Sequence, residues 1–184
     1  MFKFIAVLIC VVLFGGCSAQ KEMAPLQQLQ QSLAQSQGCE FDAHIVSQSE
    51  GRVYQFTLHC IARDGALQFE VVSPESINGI GGTVASEGGK LRFEDVLLAF
   101  PLLADGDASP VIAPWLFMDS LQNGLVRYAK QLDGSVSVSL TNSFRGQEYQ
   151  ADVELSRDGS PDSCQLYWDG RCLLRLRVEG FRLL

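Results

Sequence analysis

Apolar and polar residues alternate along most of this chain, with the period of two that marks strands exposed on one face. In FDAHIVSQ (41–48), Phe41, Ala43 and Ile45 share a face. Ser49-Glu50-Gly51 then reads as a turn. In VYQFTLHCI (53–61), Tyr54, Phe56, Leu58 and Cys60 share a face. Asp64-Gly65 is a two-residue hairpin signal. Taken as the loop, it sets Cys60 opposite Phe69 and Leu58 opposite Val71, so the apolar faces coincide. Residues 66–93 (ALQFEVVSPESINGIGGTVASEGGKLRF) form the centre of the pattern. A strand breaks at Ser73-Pro74-Glu75, resumes through glycines and turns back at Gly88-Gly89. That turn sets Val84 opposite Phe93. The break and the glycines are expected where a hairpin curves.

Alternation stops after Phe93. Residues 95–124 (DVLLAFPLLADGDASPVIAPWLFMDSLQNG) are unusually apolar for a connection. Ser109-Pro110 and Ala113-Pro114 mark helix starts and Asn123-Gly124 a stop. Leu97, Leu98, Phe100, Leu102, Leu103, Ile112, Trp115 and Phe117 need cover at about 25 cal/mol per Å², so the segment is expected to cap the sheet as a helical lid. Alternation returns over 126–131, 136–140, 149–155 and the last hairpin, with further Asp-Gly pairs at 133–134, 158–159 and 169–170. No fixed-period repeat accompanies them. Near the N-terminus, PLQQLQQSLAQSQG (25–38) places Leu26, Leu29 and Leu33 at i, i+3 and i+7, with Gly38 as its stop. This predicts a short amphipathic helix that needs a surface to rest on. The expected class is mainly β within α+β: one strongly curved antiparallel meander, an N-terminal helix and an inserted helical lid.

The chain has 184 residues and a formal net charge of −7. Lys3 precedes an apolar run, 4–14, too short to span a bilayer as a helix. Gly15-Gly16-Cys17 ends it. This resembles the lipoprotein cleavage box of bacteria, with Phe14 where leucine is usual. The resemblance implies that residues 1–16 are a signal peptide and that Cys17 carries the membrane anchor. It also implies that 17–23 are a polar tether and 24–184 a single domain. A plain secretory signal cleaved near Ala19 is the alternative. Loss of 1–16 removes only Lys3 among the charged residues and takes the net charge to −8. Without clustered Lys and Arg, nucleic acid is excluded as a partner.

Outside the cytoplasm disulfides persist. A two-residue loop at 49–50 puts Cys39 directly opposite Cys60, and one at 50–51 makes them diagonal neighbours; a bridge is expected in either register. Cys164 and Cys172 flank the last hairpin. A three-residue loop at 167–169 puts them on one face, while an Asp-Gly loop puts them on opposite faces. Zinc is disfavoured because the spacings lack Cys-x-x-Cys. His44 and His59 fall on the polar faces of their strands. Glu70, Glu75, Glu94 and Asp95 are carboxylates at strand edges. No G-x-S-x-G nucleophile occurs, and no Lys-Ser/Thr follows the glycines as a phosphate loop needs. Neither catalysis nor a cofactor is expected.

The order of parts resembles the LolA/LolB-like superfamily over roughly 24–184. It comprises the cleavage box, N-terminal helix, strands with a Ser-Pro-Glu break (Val72-Ser73-Pro74-Glu75), an inserted apolar segment and a final Asp-Gly hairpin in SPDSCQLYWDGRCLLRLRVEGFRL. Small lipoproteins of Gram-positive bacteria share this look. The resemblance implies a half-barrel closed by helices that carries a lipid or a lipidated protein. Its carriers position an arginine at the pocket mouth, and no arginine here takes that part. The apolar pocket candidates are Phe56, Leu58, Phe69, Val71, Phe93, Phe100, Trp115, Phe117 and Met118. The expected location is the extracytoplasmic side of a membrane, the outer membrane in a Gram-negative source. A filled core and action through the surface, in envelope assembly or signalling, is the other functional expectation. Nothing in the sequence sets the oligomeric state.

Overall fold

The computed structural model describes residues 17–49, 52–93, 96–100, 103–104 and 107–184. The expected signal segment, and Glu94 and Asp95, lie outside the described residues.

Asp64 and Gly65 both adopt positive φ, 51° and 74°, the backbone a two-residue hairpin loop requires. This loop joins strand β2 (Arg52–Arg63) to β3 (Ala66–Ser73). Cys60 lies opposite Phe69 and Leu58 opposite Val71, as the alternation requires. Strand β1 (Cys39–Ser49) pairs with β2 so that Ser49 faces Arg52. After Ser73 the chain leaves the ladder through a 3-10 turn, Glu75–Ile77. It rejoins where the Val71 N–H donates to the Ile80 carbonyl at 2.8 Å.

Strands β4 (Gly81–Ala85) and β5 (Gly88–Phe93) follow. Their turn is Ser86-Glu87 rather than Gly88-Gly89, so Val84 faces Gly89 and not Phe93. The glycines belong inside the sheet. A Cβ on Gly82 would lie 2.7 Å from Phe69 Cζ and 2.5 Å from the Lys90 carbonyl oxygen; the missing side chain leaves room for the aromatic ring across the ladder.

The lid region divides. Val96–Phe100 is not lid but strand β6, paired with β5. Two short strands, β7 (Leu103–Ala104) and β8 (Asp107–Ala108), pair with each other. Among the described residues of this segment, Pro110–Ile112 and helix α2 (Ala113–Asn123) are helical; the first begins at Pro110 and the second at Ala113, just before Pro114. A second described helix, α1 (Cys17–Gln35), begins before Pro25 and takes in the residues expected to form a tether. Proline lacks an N–H but does not forbid a helix whose other contacts hold it.

The remaining strands are β9 (Leu125–Leu132), β10 (Ser135–Phe144), β11 (Gln147–Leu155), β12 (Pro161–Trp168) and β13 (Arg171–Leu183). Asp133-Gly134, Arg145-Gly146 and Asp169-Gly170 repeat the paired positive φ of the first hairpin. Asp158-Gly159 instead lies within a wider loop, tied by the Ser156 N–H donating to the Ser160 carbonyl at 2.8 Å.

The described strands make an open antiparallel sheet of eleven, ordered β6-β5-β4-β3-β2-β1-β13-β12-β11-β10-β9. The single meander expected from sequence is in fact two. One runs outward from β1 to β6 and the other inward from β9 to β13. The first and last strands of the domain, β1 and β13, pair at the centre. The sheet is a half-barrel. The β4–β5 and β10–β11 hairpins lie far apart in strand order, yet Arg145 Nη2 donates to the Glu87 carbonyl at 2.9 Å. Inside the curve, α1 and α2 share one core with Phe41, Ile45, Leu58, Leu67, Tyr149 and Leu166. No described helix is long and apolar enough to cross a membrane.

Candidate functional site

The inner face under α2 is where a ligand was expected. Every residue from Ile112 to Met118 is buried. The helix is secured on both flanks. The Trp115 indole N–H donates to the Gly65 carbonyl at 3.1 Å, and its ring meets Phe144 at 5.3 Å. Phe117 packs edge-on against Phe41 at 5.8 Å. Met118 Sδ lies 3.7 Å from the Cys39 thiol. A polar network at the far end was not foreseen. The buried Ser120 hydroxyl donates to the Leu116 carbonyl at 2.7 Å and lies 3.1 Å from the Tyr149 hydroxyl. Asn123 and Asn142 both donate to the Asp119 carboxylate at 2.8 Å. Burial pushes the Tyr149 phenol well above its usual range. In sequence Tyr149 shows only as one more apolar position in an alternating strand; its hydroxyl, at the tip of a long side chain, was the available signal.

Six of the nine pocket candidates therefore pack into the core: Leu58, Phe69, Val71, Trp115, Phe117 and Met118. Phe93 and Phe100 lie on β5 and β6, and their side chains are outside the described ones. The space beside α2 is small. A cleft of about 160 Å³ lies between α1, the β2–β3 turn and α2, lined by Leu33, Gly65, Leu67, Trp115, Met118 and Asn123. Sites for drug-sized ligands begin near ~300 Å³.

The inner face is less covered further along β2. The alternation that buries Leu58 and Cys60 continues to Phe56, half-buried, and Tyr54, 42% exposed. On the neighbouring side, Ile77 and Ile80 are half-buried against the same core.

The histidines face outward on the opposite side of the sheet, and each engages its own neighbours. His59 Nδ1 lies 2.8 Å from Asp42 and its Nε2 3.4 Å from Glu40. Arg182 reaches Glu40 at 2.7 Å. His44 contacts the Thr57 hydroxyl at 3.1 Å and Glu179 at 3.3 Å. No group of three or more His, Cys, Asp or Glu residues is arranged to hold a metal among the described residues. Next to His59, a shallow groove of about 310 Å³ runs over Gln68, Glu70, Thr83 and Lys90. These polar side chains lie on an open surface.

The expected disulfides are absent: Cys39, Cys60, Cys164 and Cys172 are free thiols. Cys39 lies opposite Ala62 and Cys60 opposite Phe41, the diagonal one of the two expected registers, and in it each thiol meets another group, Cys39 the Met118 Sδ at 3.7 Å and Cys60 the Leu58 carbonyl at 3.7 Å. Cys164 lies opposite Leu176 and points into the core, whereas Cys172 lies opposite Tyr167 beyond a bulge. Burial raises the Cys39 thiol to about 12 and the Cys60 thiol well above its usual value.

No family model matches this sequence, and no curated protein matches it. Solved structures of similar layout do exist. A LolA superfamily protein from Nitrosomonas europaea is 10% identical at a TM-score of 0.48, covering 90% of this chain and 93% of its own. A DUF1329 family protein from Desulfovibrio piger is 11% identical at 0.49, covering 90% and 92%. Lipoprotein LppX from Mycobacterium tuberculosis is 11% identical at 0.43, covering 89% and 96%. The likeness is one of overall layout alone.

Proposed function

We propose that this protein is a membrane-anchored, extracytoplasmic lipoprotein that acts by binding and performs no catalysis, and that it takes an apolar ligand on the inner face of its half-barrel. The ligand would be a lipid or the acyl chain of a lipidated protein. The observation that carries this reading is the change in cover along one strand. Leu58 and Cys60 are sealed under the helices, while Phe56 and Tyr54, in the same phase, are progressively uncovered. Uncovered aromatic surface on the concave side of a sheet suits an acyl chain, at about 0.8 kcal/mol per buried methylene. Cys17, at the start of α1, would hold the chain at the membrane through its own acyl groups.

The test is native mass spectrometry of the purified chain with titration of a fluorescent fatty-acyl probe. Co-purified lipid is expected, with probe affinity lowered about tenfold in Tyr54→Ser/Phe56→Ser, since two partly buried aromatics are worth about 1.4 kcal/mol or more. A protein free of lipid that ignores the probe would overturn this reading. The complete burial of Ile112–Met118 favours a second one. In it the core is simply filled, and the lipoprotein acts through its outer surfaces in envelope assembly or signalling.

A further inference from the structure

Strand β9 is an end strand of the sheet and, among the described residues, pairs only with β10. Its free edge carries the unpaired backbone groups to which another extended chain can add. Two features set this edge apart. It is apolar, with Leu125 75%, Tyr128 53% and Val126 38% exposed. It is also basic in an acidic chain: Arg127 and Lys130 are exposed, 125–132 holds no carboxylate, and neither cation has an ion-pair partner among the described residues. Helix α1 packs near β9 with its leucines in the core inside the curve, and Leu125, Arg127, Tyr128 and Lys130 remain exposed beside it.

We infer that the β9 edge is a docking site for an extended, acidic segment of a partner protein, which adds as a twelfth strand beside Arg127 and Lys130. Charge decides between occupants. A second copy pairing β9 with β9 antiparallel in full overlap would set Arg127 opposite Lys130, and like charges directly opposite are unfavourable. The ladder also shifts between Ser139 and Leu140, leaving Arg127 as the extra residue of a bulge. Bulges and cations are devices that keep an edge from indiscriminate pairing. Lys130 shares the outer face with Tyr128, opposite Ser137 and Ser139, and so complements a strand that carries carboxylates at alternate positions on that face and apolar residues on the other, beside Val126 and Ala129.

The test uses the full chain in mild detergent and two labelled octapeptides, one alternating valine with glutamate and the other valine with lysine. Fluorescence anisotropy should show the acidic peptide binding about tenfold or more tightly than the basic one, weakening as salt screens the pairs. Hydrogen exchange should show new protection confined to the 125–132 amides. Arg127→Glu/Lys130→Glu, checked for an unchanged circular dichroism spectrum, should reverse the peptide preference. Equal binding of the two peptides, no binding, or protection elsewhere would overturn the inference. So would a concentration-dependent dimer that already protects β9. Binding to anionic vesicles that is lost in the double variant, with neither peptide bound, would assign the edge to a membrane surface instead and also overturn it. Tyr54→Ser/Phe56→Ser leaves β9 intact, so peptide binding should persist there even if the apolar-ligand reading fails.

Discussion

Gly82 shows how much of the fold can depend on one absent side chain. The Phe69 ring occupies the space a Cβ would fill, with the Lys90 carbonyl on the other side. Gly82→Ala is expected to lower stability by about 1–3 kcal/mol through overpacking, measured as a drop in urea midpoint at unchanged m. An unchanged midpoint would show that the ring moves aside freely. The cysteines give a pH signature. Burial holds the Cys39 thiol near 12 against a usual 9.0, and it raises Cys60 and Cys164 in the same direction. The folded state therefore keeps these protons more tightly than the unfolded chain. Their contribution is intact below about pH 9 and is lost as pH rises towards 12. Urea midpoints should stay level to about pH 9 and then decline. In native protein at pH 8, of the four described thiols, a maleimide should label the half-buried Cys172 and spare Cys39, Cys60 and Cys164. A flat midpoint through pH 11, or rapid labelling of Cys39, would contradict this placement.

Among the elements, α2 gains most of its stability from tertiary contact. At 11 residues it is too short to persist alone in water. Its prolines set the start, and its apolar face, meeting Phe41, Phe144 and Gly65, holds it in place. Phe117→Ala is expected to cost about 3–5 kcal/mol, read as a fall in melting temperature. A loss below ~1 kcal/mol would mean that α2 is a loosely seated lid and would support a ligand beneath it. The legibility of the elements divides the same way. Asp64-Gly65, Asp133-Gly134 and Asp169-Gly170 were readable because paired positive φ demands those residue types. Gly88-Gly89 misleads because glycine serves equally in a turn and inside a strand, where both residues lie in β5. Strand β6 was hidden because VLLAF is apolar throughout and has no period of two to read.

For the whole molecule, curvature is the organising feature, and Arg145 is a visible consequence. It joins the β10–β11 tip to the β4–β5 tip while its guanidinium lies 5.5 Å above the Phe144 ring. Arg145→Ala is expected to cost only about 0.5–1 kcal/mol, the scale of a single exposed hydrogen bond. Its effect should appear chiefly as faster amide exchange at residues 86–88 and 144–146. Slower exchange there, or a loss of several kcal/mol, would mean that the clasp is central to stability. The site was legible in its materials and not in its openness. The aromatic inventory of the inner face is plain in the alternation, but whether Trp115, Phe117 and Met118 line a cavity or fill it depends on how tightly the sheet curls around them.

Alternation and turn chemistry are local, and by themselves they determined the main strand faces, the hairpin turns at Asp64-Gly65 and Asp133-Gly134, the helical starts at Pro110 and Ala113-Pro114 and the mainly-β class. The pairing of β1 with β13, the division into two meanders, the filled core under α2, the separation of the cysteines and the exposed edge at β9 were decided only by the tertiary structure. Each depends on residues far apart in sequence meeting across a curved sheet, where register and curvature, rather than residue type, set which side chains touch.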